Sequence, residues 1–90
     1  MKTNDSFIDI FGDDIIYVKA DTILENQKSV DVYLHLVDYN DAILYSEKKS
    51  TSVQDGKIQQ EYSLERIFND NNINELSIAR LEGEIQWNIK

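Results

Sequence analysis

His35 is the only imidazole in a chain of 90 residues that contains no cysteine. A pair of nucleophile and base needs a partner positioned within hydrogen-bond reach of the histidine, and the sequence shows no such partner. The chain has no Gly-x-Ser-x-Gly segment, the local signature of one large hydrolase class. We therefore interpret His35 as a structural or surface residue, and we predict that the protein is not an enzyme and has no catalytic residues.

Residues 70–75 carry oxygen-bearing side chains at alternate positions, as the beginning of a calcium-binding loop does. Such a loop needs glycine at its sixth position and a bidentate glutamate at its twelfth, where this chain has Glu75 and Leu81. The three glycines are scattered, so they form no glycine-rich loop for a phosphate group. We predict a polar connecting loop here, and neither a metal nor a cofactor.

Carboxylates offer a different chemistry, because the chain has a net charge of −8 at pH 7. If the first segment is helical, Asp5, Asp9 and Asp13 lie on one face, about 6 Å from neighbour to neighbour. On an extended strand, Glu82 and Glu84 are about 6.8 Å apart. Both spacings approach the phosphate repeat of a nucleic-acid strand, so these rows are predicted to imitate it. The alternative is a solvated face that serves solubility alone.

Three tyrosines are predicted to anchor a partner beside these acids. Tyr33 and Asp31 lie on the side of a predicted strand opposite its apolar residues, so both side chains should face outward. Tyr45 joins them in one register of the following turn, and Tyr17 continues the row on a neighbouring strand. Tyrosine is common at interfaces because it buries area and keeps a polar group. The alternative is that a helix covers this face.

Strands are predicted to position these groups. Residues 30–37 have valine or leucine at alternate positions, which is typical of a strand with one face on a core. Residues 14–20 are β-branched and aromatic and predict a second strand, and residues 42–47 predict an antiparallel partner after a turn at Asn40-Asp41. Asp55-Gly56 is a strong hairpin signal, and we expect its tip to project from the body of the protein.

Two short helices complete the predicted elements. Residues 63–68 begin at a capping serine and bring Leu64, Ile67 and Phe68 onto one side. Residues 6–12 begin at another capping serine and end at a glycine, with a strand as the alternative for so short a segment.

The end of the chain allows two interpretations. Residues 79–89 can form one strand, or Glu82-Gly83 can be a hairpin loop that places Ile78 opposite Trp87. We favour the hairpin because it accounts for the apolar residues Leu76 and Ile78. The whole chain, residues 1–90, is then predicted to be a single α+β domain. It would contain a small antiparallel β-sheet of about five or six strands with one or two short helices.

No apolar segment of signal-peptide length follows Met1, and no run approaches the roughly 20 apolar residues of a membrane helix. We therefore expect the protein in the cytoplasm of its producer or of an infected host, without a membrane partner. Nucleic-acid phosphate repels an acidic chain, so direct binding of nucleic acid is not expected.

These observations favour a non-enzymatic acidic binding protein. We predict an inhibitor that occludes a basic nucleic-acid-binding surface of a partner protein, such as a nuclease, as DNA mimics do. In size, charge and small mixed fold, the chain is similar in type to phage anti-CRISPR proteins, uracil-DNA glycosylase inhibitors and bacterial immunity proteins. No motif is shared with these groups, so no residue takes its role from them. The alternatives are an immunity protein or antitoxin against a basic nuclease toxin, and a structural or regulatory subunit that forms a homodimer.

Overall fold

The computed structural model describes residues 2–3, 8–22 and 28–87. These residues form seven strands, of which the first has only two residues, together with one α-helix and one 3-10 helix. In chain order the elements are β1 (Lys2–Thr3), β2 (Asp9–Phe11), β3 (Ile15–Asp21), β4 (Ser29–Val37), β5 (Ile43–Ser52), β6 (Lys57–Ser63), α1 (Leu64–Asn71), the 3-10 helix (Glu75–Ser77) and β7 (Arg80–Trp87).

Every strand pair is antiparallel, and the described strands divide into two sheets. The four-stranded sheet has the order β1-β7-β4-β5, and the three-stranded sheet has the order β2-β3-β6. The predicted class is confirmed as a small α+β fold built on antiparallel strands. The strands lie in two sheets because β3 pairs with β2 and β6, whereas β4 pairs with β5 and β7.

The core lies between the two sheets. β4 is the central strand of its sheet and buries every second residue completely, which confirms the strand predicted from the alternation at 30–37. β3 and β6 supply the facing apolar side chains from the other sheet. The buried cluster comprises Ile16, Val18, Ala20, Val30, Val32, Leu34, Leu36, Val53, Ile58, Tyr62, Ile67 and Ile85.

The predicted helix near residue 63 is confirmed, and it extends to Asn71. The Ser63 hydroxyl accepts a hydrogen bond from the Arg66 backbone N–H at 3.3 Å, so it satisfies one of the free donors at the helix start. Asn72 ends the helix in the left-handed conformation, and Ile67 is buried against the core. No helix within the described ranges is long and apolar enough to cross a membrane.

The helix predicted at residues 6–12 is wrong where the structure describes it, because residues 9–11 are strand β2. Ile10 pairs with Val18 and packs against the core, while its two neighbours in β2 point outward. Gly12 has φ 120°, and a Cβ there would lie against the Ile15 carbonyl oxygen, so the chain turns tightly into β3. Pairing with β3 therefore outweighs the weak helix signal of so short a segment.

The favoured hairpin at Glu82-Gly83 is also wrong, because β7 continues through both residues. Its alternative, a single strand, is confirmed over Arg80–Trp87, and Trp87 pairs with Val30 rather than with Ile78. The same hairpin would have placed Leu76 opposite Ile89, and Ile89 lies outside the described residues.

Asp55 and Gly56 form the predicted turn, with φ 53° and 72°, between two hydrogen bonds of 2.9 Å that join Gln54 and Lys57. The expected projecting tip is wrong. β5, before the turn, belongs to the four-stranded sheet, and β6, after it, belongs to the three-stranded sheet. The Thr22 N–H donates to the Gly56 carbonyl at 2.8 Å. The turn is therefore the corner at which the chain passes from one sheet to the other.

Candidate functional site

Four of the residues nominated from the sequence lie together on the outward face of the four-stranded sheet. Asp31 and Tyr33 belong to β4, and Glu82 and Glu84 belong to the neighbouring β7, where Glu84 pairs with Tyr33. We call this surface the outer sheet face. It consists of Asp31, Tyr33, His35, Ser46, Lys48, Ser50, Arg80, Glu82, Glu84 and Gln86.

The other nominated residues do not join this face. Asp9 and Tyr17 lie on the outward face of the three-stranded sheet, where the Tyr17 ring stacks on that of Phe11 with centroids 5.4 Å apart. Asp13 is in the turn between β2 and β3. The predicted helical row of acids is therefore wrong for Asp9 and Asp13, and Asp5 lies outside the described residues.

Tyr45 points to the inner side of β5, because it pairs with Leu36, whose side chain faces the core. The predicted tyrosine row is wrong for this residue and for Tyr17, because β5 and β3 present them on other surfaces. Burial, followed by the hydrogen bond to Glu47, raises the pKa of the Tyr45 hydroxyl, so this tyrosine is a neutral donor at the sheet edge. It packs against the core cluster instead of standing free for a partner.

The carboxylates of the outer sheet face are already bonded to their neighbours. Asp31 accepts a hydrogen bond from the Ser50 hydroxyl at 2.9 Å. Glu82 accepts from the Arg80 guanidinium at 2.7 Å, and the same guanidinium bonds Asp41 at 2.6 Å. These bonds to Asp41 and Glu82 raise the pKa of Arg80. A partner that used these acids would have to displace existing bonds, which lowers the gain from each contact.

His35 connects all three neighbouring strands of this face. Its Nδ1 lies 2.6 Å from the Ser46 hydroxyl on β5, and its Nε2 lies 2.9 Å from the Glu84 carboxylate on β7. The ring also stacks on Tyr33, with centroids 5.8 Å apart. The sequence placed His35 on the outward side of its strand but could not identify these partners, because both depend on the pairing register.

A second acidic surface was only partly visible in the sequence. The turn between β2 and β3, the start of α1 and the 3-10 helix together enclose a shallow depression of about 250 Å³. We call it the acidic depression. Its lining residues are Asp13, Asp14, Leu64, Glu65, Phe68, Asn69 and Glu75. A backbone hydrogen bond of 3.0 Å from the Leu64 N–H to the Asp14 carbonyl holds the turn against the helix.

The four carboxylates of the acidic depression differ from those of the outer sheet face. Within the described part of the chain, none of these four carboxylates forms an ion pair. Arg66, which follows Glu65 in α1, is bonded instead to Glu47 at 2.8 Å and to Asp70 at 3.6 Å. Negative charge therefore stays uncompensated at this place, beside the half-buried side chains of Leu64 and Phe68. Such a surface attracts a cationic group with an aliphatic stem, as lysine and arginine have.

Sequence reasoning singled out only Asp13 from this set. A usable signal existed, because Glu65 and Glu75 occupy the first turns of the two helices, where acids are favoured by the helix dipole. The segment at 70–75 serves these helix ends, with Asn72 closing α1 and Asn74 capping the 3-10 helix. Across residues 2–3, 8–22 and 28–87, no group of three or more His, Cys, Asp or Glu side chains is arranged to hold a metal ion.

Comparison of the chain with protein-family models, with curated proteins and with solved structures gives no match. What the protein does is therefore inferred from the chemistry of its own surfaces.

Proposed function

We propose that this is an acidic binding protein that occludes a basic, nucleic-acid-binding surface of another protein. The observation that carries the proposal is the acidic depression, where Asp13, Asp14, Glu65 and Glu75 have no cation to neutralise them among the described residues. Like charges held close together destabilise a free protein, and a positively charged partner relieves that cost.

The mechanism is steric and electrostatic. The net charge of −8 steers a basic partner toward the protein, and the carboxylates take the positions that phosphates would occupy. Lysine or arginine side chains of the partner enter the depression, and their stems lie along Leu64 and Phe68. The Phe68 ring can add a cation–π contact.

The partner class follows from this chemistry. It is a nuclease or another nucleic-acid-binding effector in the cytoplasm of the producer or of an infected host. A phage anti-CRISPR or other counter-defence protein and an immunity protein against a nuclease toxin would both act in this way, so the identity of the partner distinguishes them. Homodimerisation through an uncovered sheet face is a separate prediction, which light scattering on the purified protein decides.

A peptide titration locates the binding surface. A short arginine-rich peptide, added to isotope-labelled protein at low salt, should shift the amide resonances of the β2–β3 turn, the start of α1 and the 3-10 helix. These shifts should weaken as sodium chloride screens the charges. Shifts spread over the whole surface, or centred on the outer sheet face, would show that the depression is not the site.

A competition experiment then tests occlusion itself. The protein is added to labelled DNA duplex bound by each member of a panel of basic nucleases and DNA-binding proteins, and release is followed by fluorescence anisotropy. The depression variant, Asp13→Asn, Asp14→Asn and Glu75→Gln, removes three charges with little change of shape. The matched face variant, Asp31→Asn, Glu82→Gln and Glu84→Gln, removes three from the outer sheet face.

The depression variant should compete about tenfold less well than the parent protein, because each exposed ion pair contributes about 0.5 kcal/mol. The face variant should compete nearly as well as the parent, since its carboxylates are bonded internally. Equal losses in the two variants would mean that binding follows net charge alone. The depression would then have no special role.

A further inference from the structure

A chain of hydrogen bonds crosses the outer sheet face and ends on an exposed serine. The Tyr33 hydroxyl donates to Gln86 Oε1 at 3.3 Å, and Gln86 Nε2 donates to Glu84 Oε2 at 3.2 Å. Glu84 Oε1 lies 2.9 Å from His35 Nε2, and His35 Nδ1 lies 2.6 Å from Ser46 Oγ. Three side chains thus support the ring on its Nε2 side, and the serine hydroxyl lies on its Nδ1 side.

The direction of these bonds follows from the chemistry of their atoms. An ionised Glu84 can only accept, so His35 Nε2 carries the proton that bonds it. In the neutral ring Nδ1 is then an acceptor, and the Ser46 hydroxyl must be the donor at 2.6 Å. In this tautomer of the neutral ring, the serine proton points at a base whose opposite nitrogen is held by a carboxylate.

We propose that Ser46 is an activated nucleophile that accepts an acyl group, with His35 as its general base and Glu84 as a positioning residue. The nucleophile and the orienting carboxylate each lie within hydrogen-bond reach of the base, one on either ring nitrogen, which is the arrangement that activates serine in hydrolases. The two ring nitrogens are exchanged relative to the usual serine hydrolase order, in which the serine bonds Nε2. This inference is independent of the binding proposed for the acidic depression.

The reaction has two balanced steps. Ser46 Oγ attacks the carbonyl carbon of an ester, its proton passes to His35 Nδ1, and the carbon–oxygen bond of the leaving group breaks. The leaving group departs as an alcohol or phenol after it takes up that proton. Water then attacks the acyl-serine, loses a proton to Nδ1, and releases the carboxylic acid as Ser46 regains its hydroxyl. The substrates expected with only this assistance are aryl esters, whose phenol leaving groups are good.

The surroundings suit this role. Ser46 is exposed on the edge strand β5, so an acyl donor can reach its oxygen. The His35 and Glu84 side chains are only 12% and 17% exposed, which strengthens their mutual bond and holds the ring in place. The Tyr33 ring stacks on the imidazole with an angle of 14° between the two ring planes, and this contact limits rotation of the imidazole. Glu82, opposite His35, and Lys48, opposite Tyr33, are the other charged groups of strands β7 and β5 at this level.

Ser50 provides an internal control on the same strand and the same face. Its hydroxyl donates to Asp31 at 2.9 Å, so it is bonded to a carboxylate without an imidazole between them. General-base assistance contributes about a hundredfold or more to such a step, and Ser46 should therefore react at least about a hundredfold faster than Ser50.

The experiment incubates the folded protein with p-nitrophenyl acetate and, separately, with a fluorophosphonate probe. Peptide mass mapping measures the labelling of Ser46 and Ser50 in the same molecules. His35→Gln should reduce labelling of Ser46 to the level of Ser50. Because this variant has no imidazole, the rate of Ser46 labelling should also lose the pH dependence that the imidazole gives it in the parent protein. Glu84→Gln should slow labelling at least about tenfold and alter the pH profile, because an amide can also stabilise the wrong tautomer of His35. Ser50→Ala should react as the parent protein does.

Two results would overturn the proposal. One is equal labelling of Ser46 and Ser50 in the parent protein, a comparison that needs no variant and does not depend on how a variant folds. The other is labelling of Ser46 that is unchanged in His35→Gln when circular dichroism shows that the variant is folded. Either result would make the Ser46–His35–Glu84 chain a purely structural link between strands.

Discussion

Tyr62 joins the two sheets through a polar contact inside the core. Its side chain is fully buried, and its hydroxyl donates to the Val32 carbonyl of the central strand at 2.7 Å. Lys49 lies over the same ring, 4.9 Å from its centroid. Burial, followed by the negative charge of Glu47, raises the pKa of Tyr62 well above its usual range. The residue is therefore stabilising only while its hydroxyl is neutral.

The substitution Tyr62→Phe tests this linkage. At pH 7 it should lower the free energy of unfolding by about 1 kcal/mol, because one buried hydrogen bond is lost. Since the pKa is raised by folding, Tyr62 stabilises fully below about pH 10, and this contribution disappears as the pH rises further. The parent protein should therefore lose more stability than the variant between pH 9 and pH 11 in urea unfolding. Tyr39→Phe, at a side chain 75% exposed, should match the parent protein at both pH values.

His35 illustrates what the sequence can reveal about a single residue. Its position on the outward side of β4 follows from the alternation of the strand and could be predicted. Its bonds to Ser46 and Glu84 could not, because those residues belong to strands whose registers are set by the tertiary structure. The type of each residue was visible in the sequence, and the arrangement that gives it chemistry was not.

The strand β7 depends on a glycine at which β2 approaches closely. Gly83 points inward and pairs with Leu34, and an added Cβ would lie 2.9 Å from Ile8 Cγ2 and 3.1 Å from Ile10 Cδ1. The missing side chain lets the three-stranded sheet pack against the four-stranded sheet at this point. Glycine here serves packing inside a strand, rather than a turn.

The substitution Gly83→Val should therefore destabilise the protein although valine favours strands. Its branched side chain must displace Ile8 and Ile10, and overpacking of this kind costs about 1–3 kcal/mol. The unfolding temperature should fall by about 4 °C or more in thermal denaturation. The neighbouring Glu82→Val, which changes the outward face of the same strand, serves as the control and should lose only a weak exposed ion pair. An unchanged unfolding temperature for Gly83→Val would contradict the close packing.

Elements with a strong period or a clear cap were predictable from the sequence, and short or interrupted elements were not. The alternation of β4 and the Ser63 cap of α1 each produce one dominant local structure. β2 has only three residues, and its conformation is decided by pairing with β3. In β7, Gly83 provides a false turn signal because its packing role depends on a distant segment.

Charge is distributed unevenly over the molecule as a whole. Arg66 and Arg80 each bond two carboxylates, so their neighbourhoods are largely compensated. The acidic depression has no such cation among its lining residues. Its acids come from three separate parts of the chain, which the fold brings together where the β2–β3 turn meets α1. Net charge could be read from the sequence, but this concentration of charge depends on the topology of two sheets and a helix.

An uncompensated surface that serves binding should weaken the free protein, and the two charge variants test this at the level of the whole molecule. In urea unfolding at about 10 mM salt, the depression variant should be more stable than the parent by up to about 1 kcal/mol, because repulsion is reduced. This gain should vanish near 0.5 M sodium chloride, where charges beyond about 4 Å are screened. The face variant should instead be less stable at both salt concentrations, since its carboxylates accept hydrogen bonds from Ser50, Arg80 and His35. An unchanged or lower stability of the depression variant at low salt would mean that the fold tolerates the depression at no cost in stability, and a partner would then have no such cost to relieve.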